Sequence, residues 1–192
     1  LGAMLLEASG DAASSGAVYS ELVKSSDRTD IQSMKRQVAL LRASGDVAGA
    51  VAALNTLLRL FCADVEAWLE LGDLYAAAAR PRMCAFCVEE AVLAAPHNHH
   101  LWSRLAEAHY AAGEFVVSRK CFCRAAEICG CSSARALLGI CMASAAVASA
   151  RMAKSQKEVE VNRAIHSWAA EKLESILPIV SPVLVRQRAL LA

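Results

Sequence analysis

Aromatic residues make up only 5% of this 192-residue chain, and it has just 4 prolines and 9 glycines. Sheets draw on aromatic and β-branched side chains, so with alanine abundant and aromatics scarce the composition favours helix throughout. Charge of one sign is lacking too: 20 basic residues face 19 acidic ones, for a net charge of +1. That excludes the basic footprint that phosphate backbones select, so nucleic acid is not expected as a partner. The longest uncharged run near the C-terminus, Ala136 to Ala150, is 15 residues, short of the roughly 20 that a membrane-spanning helix needs. Leu1 to Gly10 has no basic n-region, no long apolar h-region and no initiating methionine. The expectation is a chain that starts inside a longer protein. No glycine-rich phosphate loop occurs, and no serine sits in a nucleophile-elbow setting, so neither an enzyme activity nor a small-molecule substrate is expected.

What is present is periodic. From Val65 to Pro96 the chain places Trp68, Leu71, Gly72, Tyr75, Cys84, Val88, Ala91 and Pro96 at the spacings of one tetratricopeptide repeat. Trp102 follows Trp68 by thirty-four residues, with Leu105 and Ala106 in the places of Leu71 and Gly72, and Phe122 and Ala125 continue the phase. Residues three and four apart share one helix face, so Trp68, Leu71 and Tyr75 form an apolar stripe. Gly72 is expected to be a hole into which the partner helix packs. Pro81 suits the first turn of a second helix, and Pro96 ends that helix.

The fold class that follows is all-α: a tetratricopeptide-repeat solenoid of about four helical hairpins with a C-terminal capping helix. The hairpins are expected at about 1–28, 29–62, 63–96 and 97–130, with a partial repeat at 131–150. In the first, Leu1 to Ala8 is followed by Ala17 to Lys24. In the second, Thr29-Asp30 caps Ile31 to Ala43, and Val47 to Phe61 returns. Leu138-Gly139 echoes Leu71-Gly72, but no clean second helix follows at the repeat distance. Residues 151–192 are then a charged linker or helix start (Met152 to Val161), an amphipathic capping helix (Arg163 to Leu177) and an apolar tail. Pro178 and Pro182 give that tail an irregular start, with a short apolar helix at Val183 to Leu191.

Eight cysteines and a histidine cluster are the residues that chemistry would use. Cys84-x-x-Cys87 has zinc-like spacing but lies within a helix, with no second pair to complete a site, and Cys84 fills the repeat's small-residue position. Cys121 and Cys123 point to different faces of a helix. These thiols are read as small buried hydrophobes in a reducing compartment. His97, His99 and His100 lie in the turn after Pro96, where adjacent rings are expected to diverge and no carboxylate is near in sequence; Asn98 reads as a helix cap. No metal and no cofactor is expected.

If the first helix of each hairpin lines the inner face, its outward positions are Gln32, Lys35, Ala39 and Arg42, then Glu66, Leu69, Asp73 and Ala76, then His100, Ser103, Glu107 and Tyr110. Candidate partner-binding residues are therefore Lys35, Arg42, Glu66, Asp73, His100, Glu107 and Tyr110, with Trp168 on the capping helix. The groove would run from basic to acidic along the array. Asp73 and Glu107 stand where chaperone-binding clamps carry lysine and asparagine, so a carboxylate clamp is disfavoured by like-charge repulsion.

Several stretches go beyond the repeat consensus. Glu66-Ala67-Trp68-x-Glu70-Leu71, Ala85-Phe86-Cys87-x-Glu89-Glu90, Pro96-His97-Asn98-His99, Ser118-Arg119-Lys120, Arg135-Ala136-Leu137-x-Gly139 and Ser167-Trp168-Ala169-Ala170 together resemble the tetratricopeptide subunit 2 family of the endoplasmic reticulum membrane protein complex. The resemblance covers about Ile31 to Leu177. It implies a non-catalytic scaffold on the cytosolic face of the endoplasmic reticulum membrane, peripheral to it through other subunits of the complex. It also implies a role in inserting transmembrane segments, tail-anchored and multi-pass. Family members carry further repeats before the point where this chain begins, and the tail from Pro178 does not match them well. The alternative reading from the residues alone is a free-standing cytosolic tetratricopeptide adaptor or co-chaperone.

Overall fold

Seven helices among the described residues open on a side chain that accepts a hydrogen bond from a backbone N–H of the first turn: Asp11 from Ser14, Asp30 from Ser33, Asp46 from Gly49, Asp64 from Ala67, Asn98 from His100, Ser133 from Ala136 and Ser155 from Glu158. Such caps satisfy donors that a helix leaves unpaired, and each marks the start of an element. The computed structural model describes residues 2–25, 30–152 and 155–176. These form α1 (Gly2–Ala8), α2 (Ala12–Ser25), α3 (Ile31–Ala43), α4 (Val47–Leu60), α5 (Val65–Ala77), α6 (Pro81–Ala94), α7 (His99–Ala111), α8 (Phe115–Ile128), α9 (Ala134–Ser149) and α10 (Gln156–Ile176), with no strand among the described residues.

Every helix packs on its neighbours in sequence, and α7 also meets α9. That is the connectivity of a solenoid, in which the core spreads along an axis. Met34, Val38, Leu54, Leu57 and Leu71 belong to one buried cluster; Val88, Leu105, Phe122, Leu137, Ile140 and Leu173 belong to the next. Trp68 and Tyr75, half-buried, pack against both clusters.

The repeat register is visible in the turns. Gly45, Ala79 and Gly113 each stand between the two helices of a hairpin, thirty-four residues apart, with φ of 80°, 55° and 79°. The left-handed region suits glycine, so Ala79 carries strain that its counterparts avoid. Trp68 and Trp102 repeat as well: each indole N–H donates to the carbonyl six residues earlier, Cys62 and Pro96, at 2.8 Å.

The structure departs from the sequence reading at both ends. α2 begins at Ala12, not Ala17, because Asp11 accepts a bond from the Ser14 N–H and caps the helix early. α10 begins at Gln156, inside the segment expected to be a charged linker or helix start, so the second of those alternatives is the one the structure takes, with Ser155 capping the N–H of Glu158. It lies along α9, so α9 and α10 form a fifth hairpin and the repeat begun at Ala134 acquires its second helix. The packing stripe of α10 is Asn162, His166, Ala169, Ala170 and Leu173. Buried Asn162 donates to the Ser144 carbonyl at 2.9 Å and accepts from Arg119, tying α8, α9 and α10 together. The tail helix expected at Val183 to Leu191 lies outside the described residues.

Gly72 and Gly139 differ in a way their matching motifs do not reveal. A β-carbon on Gly72 would stand 3.5 Å from the Cys87 β-carbon, an ordinary contact, whereas one on Gly139 would collide with the Phe122 ring. α6 does pack against Gly72 as expected, but an alanine would fit there, and the position that admits glycine alone is Gly139.

Candidate interaction surface

The inner positions of α3, α5, α7 and α9 are joined by a ladder of ion pairs. Lys35 Nζ lies 2.8 Å from Asp64 and 2.9 Å from Glu66, and Arg42 pairs with Glu70. Asp73 then pairs with Arg104, and Arg135 grips Glu107 through two bonds of 2.6 Å. Of the partner-binding candidates, Lys35, Arg42, Glu66, Asp73 and Glu107 thus already hold partners within the chain. The expected gradient from basic to acidic is replaced by a surface neutralised rung by rung. Arg104, Arg135, Glu70 and Asp64, which complete the rungs, were not among the candidates. The signal for them is present: opposite charges recur 28 or 31 residues apart, about one repeat, on successive first helices.

The hydrogen bond to Asp64 is the main influence holding Lys35 above the usual lysine range. Burial pushes Asp64 up, but the bond from Lys35, the Ala67 N–H and the lysine charge together outweigh it and leave the carboxyl below its ordinary value.

Other candidates are placed as follows. His100 is exposed and its ring lies 3.9 Å from that of His99, tilted by 38°, so the two rings do not diverge as expected. They occupy the first two positions of α7, where no preceding turn restricts their rotamers. Ser103 is buried and donates to the His99 carbonyl, so it does not face the groove. Tyr110 is half-buried, 5.1 Å from Phe115. Trp168 is exposed on α10, the helix that packs along α9. Buried His109 links three elements, with Nδ1 2.9 Å from Glu114 and Nε2 3.3 Å from Glu89.

Behind two rungs lies a pocket of about 480 Å³. Asp73, Arg104 and Glu107 stand around it; Ala76, Ala79, Pro81, Cys84, Val88, Ala108 and Ala111 supply the rest of its lining. Its walls come from α5, α6, α7 and the turn between α5 and α6, and four of the lining residues are alanines.

Burial drives the thiols away from reactivity. Cys87 is pushed up to about 12 and Cys121 to about 11, with Cys84 and Cys123 also raised, each chiefly by desolvation. A thiol so held stays protonated at neutral pH and is neither a nucleophile nor a good metal ligand. Among the described residues no group of three or more His, Cys, Asp or Glu side chains is arranged to hold a metal ion. Nor is any helix there long and apolar enough to cross a membrane.

Residues 1–121 match the family described as the EMC2 TPR-like repeat domain. ER membrane protein complex subunit 2-B of Xenopus laevis is 34% identical over 160 residues, 82% of this chain and 53% of that protein. TPR repeat protein oca3 of Schizosaccharomyces pombe is 34% identical over 131 residues, 66% of this chain and 46% of that one. The chain spans about half the length of the curated relatives it matches. Among solved structures, YrrB, described as a TPR protein with an unusual peptide-binding site, superposes with a TM-score of 0.66 at 14% identity, covering 97% of this chain and 88% of that one. At that identity the likeness shows the fold alone. By its repeats and by the family match over residues 1–121, the chain belongs to the ER membrane protein complex subunit 2 family.

Proposed function

We propose that this chain is a non-catalytic scaffold subunit of the endoplasmic reticulum membrane protein complex. It holds other subunits on the cytosolic side and so supports insertion of tail-anchored and multi-pass transmembrane segments. The observation that carries the reading is family membership joined to a ladder of ion pairs that runs along the successive first helices. A solenoid gains surface rather than a single enclosed core, and extended surface is what a scaffold uses. With no membrane-crossing helix among the described residues, attachment runs through subunits that do cross.

Fractionation tests this. Tagged chain should remain with endoplasmic reticulum membranes through a high-salt wash and, after detergent extraction, copurify with the membrane-spanning subunits. Recovery from cytosol alone, free of those subunits, would instead fit an independent adaptor or co-chaperone.

A further inference from the structure

Each earlier second helix is covered by the first helix that follows it: α3 lies on α2, α5 on α4, α7 on α6 and α9 on α8. α10 packs along α9, and no described element follows it. Yet one outward side of α10 is apolar. Val161, Ile165, Trp168 and Ile176 recur there at helical spacing, well round the helix from the stripe of Asn162, His166, Ala169 and Leu173 that packs inward. Val161, Trp168 and Ile176 are 45%, 41% and 39% exposed. The terminal unit of a solenoid turns a polar face to water, so this stripe calls for a cover. It is also small: part-exposed side chains of this size leave roughly 300 Å² open, whereas a stable interface between separate molecules takes about 800 Å² from each. A cover tethered to the same chain needs less, because its effective concentration is of millimolar order.

The sequence beyond α10 has the composition of such a cover. Leu177 to Ala192 is mostly apolar, and its charges, Arg186 and Arg188, are both basic, whereas α10 exposes the carboxylates Glu160 and Glu171. Pro178 and Pro182 do not extend a helix, so they favour a change of direction. After them Val183, Leu184, Leu190 and Leu191 stand at spacings that share one helical face. The reach is sufficient: Trp168 lies about 12 Å of helix back from Ile176, and Val183 to Leu191 spans about 13 Å even if wholly helical. We propose that residues 183–191 fold back on α10 and cover Ile165, Trp168 and Ile176, so that the chain closes its array with its own tail. The stripe is then an internal contact and not a surface offered to another molecule.

The test places a benzophenone amino acid at position 168 of the full chain, and for comparison at position 117, where Val117 is exposed on α8. Heavy-isotope and unlabelled chains are mixed before irradiation, and the products are mapped by mass spectrometry. The expected result is a cross-link from position 168 to residues 183–191 of the same chain, with no such product from position 117. A cross-link between heavy and unlabelled chains makes a second copy the occupant and overturns the proposal. So does a product that leaves residues 183–191 untouched, or, in the detergent-solubilised complex, one that joins position 168 to a different subunit or to lipid. Leu184→Glu combined with Leu190→Glu supplies a second reading and leaves the residues of all ten helices unchanged. Amide exchange of 165–176 should quicken roughly 10- to 100-fold, the worth of covering one large apolar side chain, with α5 and α6 unaffected. Unchanged exchange in α10 overturns the proposal as well. The cross-link within one chain is independent of assembly into any complex, so its failure leaves the scaffold reading standing.

Discussion

The ring of Phe122 on α8 occupies the space where a β-carbon on Gly139 of α9 would stand. Phe122 is 4% exposed and packed within the core, so an added carbon at Gly139 would have to displace a buried ring. Gly139→Ala should therefore destabilise the chain by about 1–3 kcal/mol, the range for overpacking a close-packed core. Gly72→Ala, whose added carbon meets only ordinary contacts, should be neutral or stabilising by up to about 1 kcal/mol through helix propensity. Urea denaturation of the two variants side by side measures the contrast.

Ala79 offers a gain at the turn between α5 and α6. Gly45 and Gly113 hold equivalent places with similar positive φ, and alanine there costs about 1 kcal/mol relative to glycine. Ala79→Gly should raise stability by about that much, less the entropy a glycine adds to the unfolded chain. The same substitution one residue earlier, Ala78→Gly, should lower it, because Ala78 has a φ of −81°. Thermal melting of both variants decides the sign.

Asn162 carries the junction of three helices. It is 3% exposed, and removing its amide takes from the Ser144 carbonyl the donor it has beyond its own helix and leaves Arg119 without this acceptor. Asn162→Leu should cost about 1–3 kcal/mol, as for buried polar groups stripped of a partner. The loss should be concentrated in α10, so amide hydrogen exchange of Gln156–Ile176 should quicken more than that of α5 and α6.

How much of this was legible in the sequence depended on the range of the interaction. The hairpin pattern was readable because Trp68 and Trp102 recur with their motif, and Asp30 and Asn98 cap helices within a few residues. That α10 completes the repeat begun at Ala134 was not, because its packing face uses Asn162, His166 and two alanines where a repeat would show large apolar residues. The ladder was missed because each rung joins helices a repeat apart, and only the rotation between repeats decides which acid meets which arginine. The close, tilted contact of the His99 and His100 rings depends on rotamers at a helix start, which spacing does not encode.

The Lys35–Asp64 rung should show in the pH dependence of stability. Asp64 is held below its ordinary value of 3.8, so its contribution is present above that pH and is lost as pH falls through the folded-state value. Lys35 is held above its ordinary 10.5, so its share is present below that pH and is lost as pH rises past it. Asp64→Asn keeps a capping oxygen and removes the ion pair. The gap in melting temperature from the parent should be widest between those limits and close in strong acid. It should correspond to less than about 1 kcal/mol, since the rung is partly exposed.

Thiol reactivity should follow burial. Cys62 is exposed and should react first with iodoacetamide, whereas Cys87 and Cys121 should label only on unfolding. Peptide mapping after brief alkylation, with and without denaturant, reads this directly.

The central claim is that the chain is an integral scaffold of a membrane complex, and the ratio of subunits tests it most directly. Quantitative mass spectrometry of the complex, purified through a membrane-spanning subunit after a 1 M salt wash, should find this chain in one-to-one ratio with that subunit. A ratio near zero, with the chain recovered intact from the cytosolic fraction, would contradict the account.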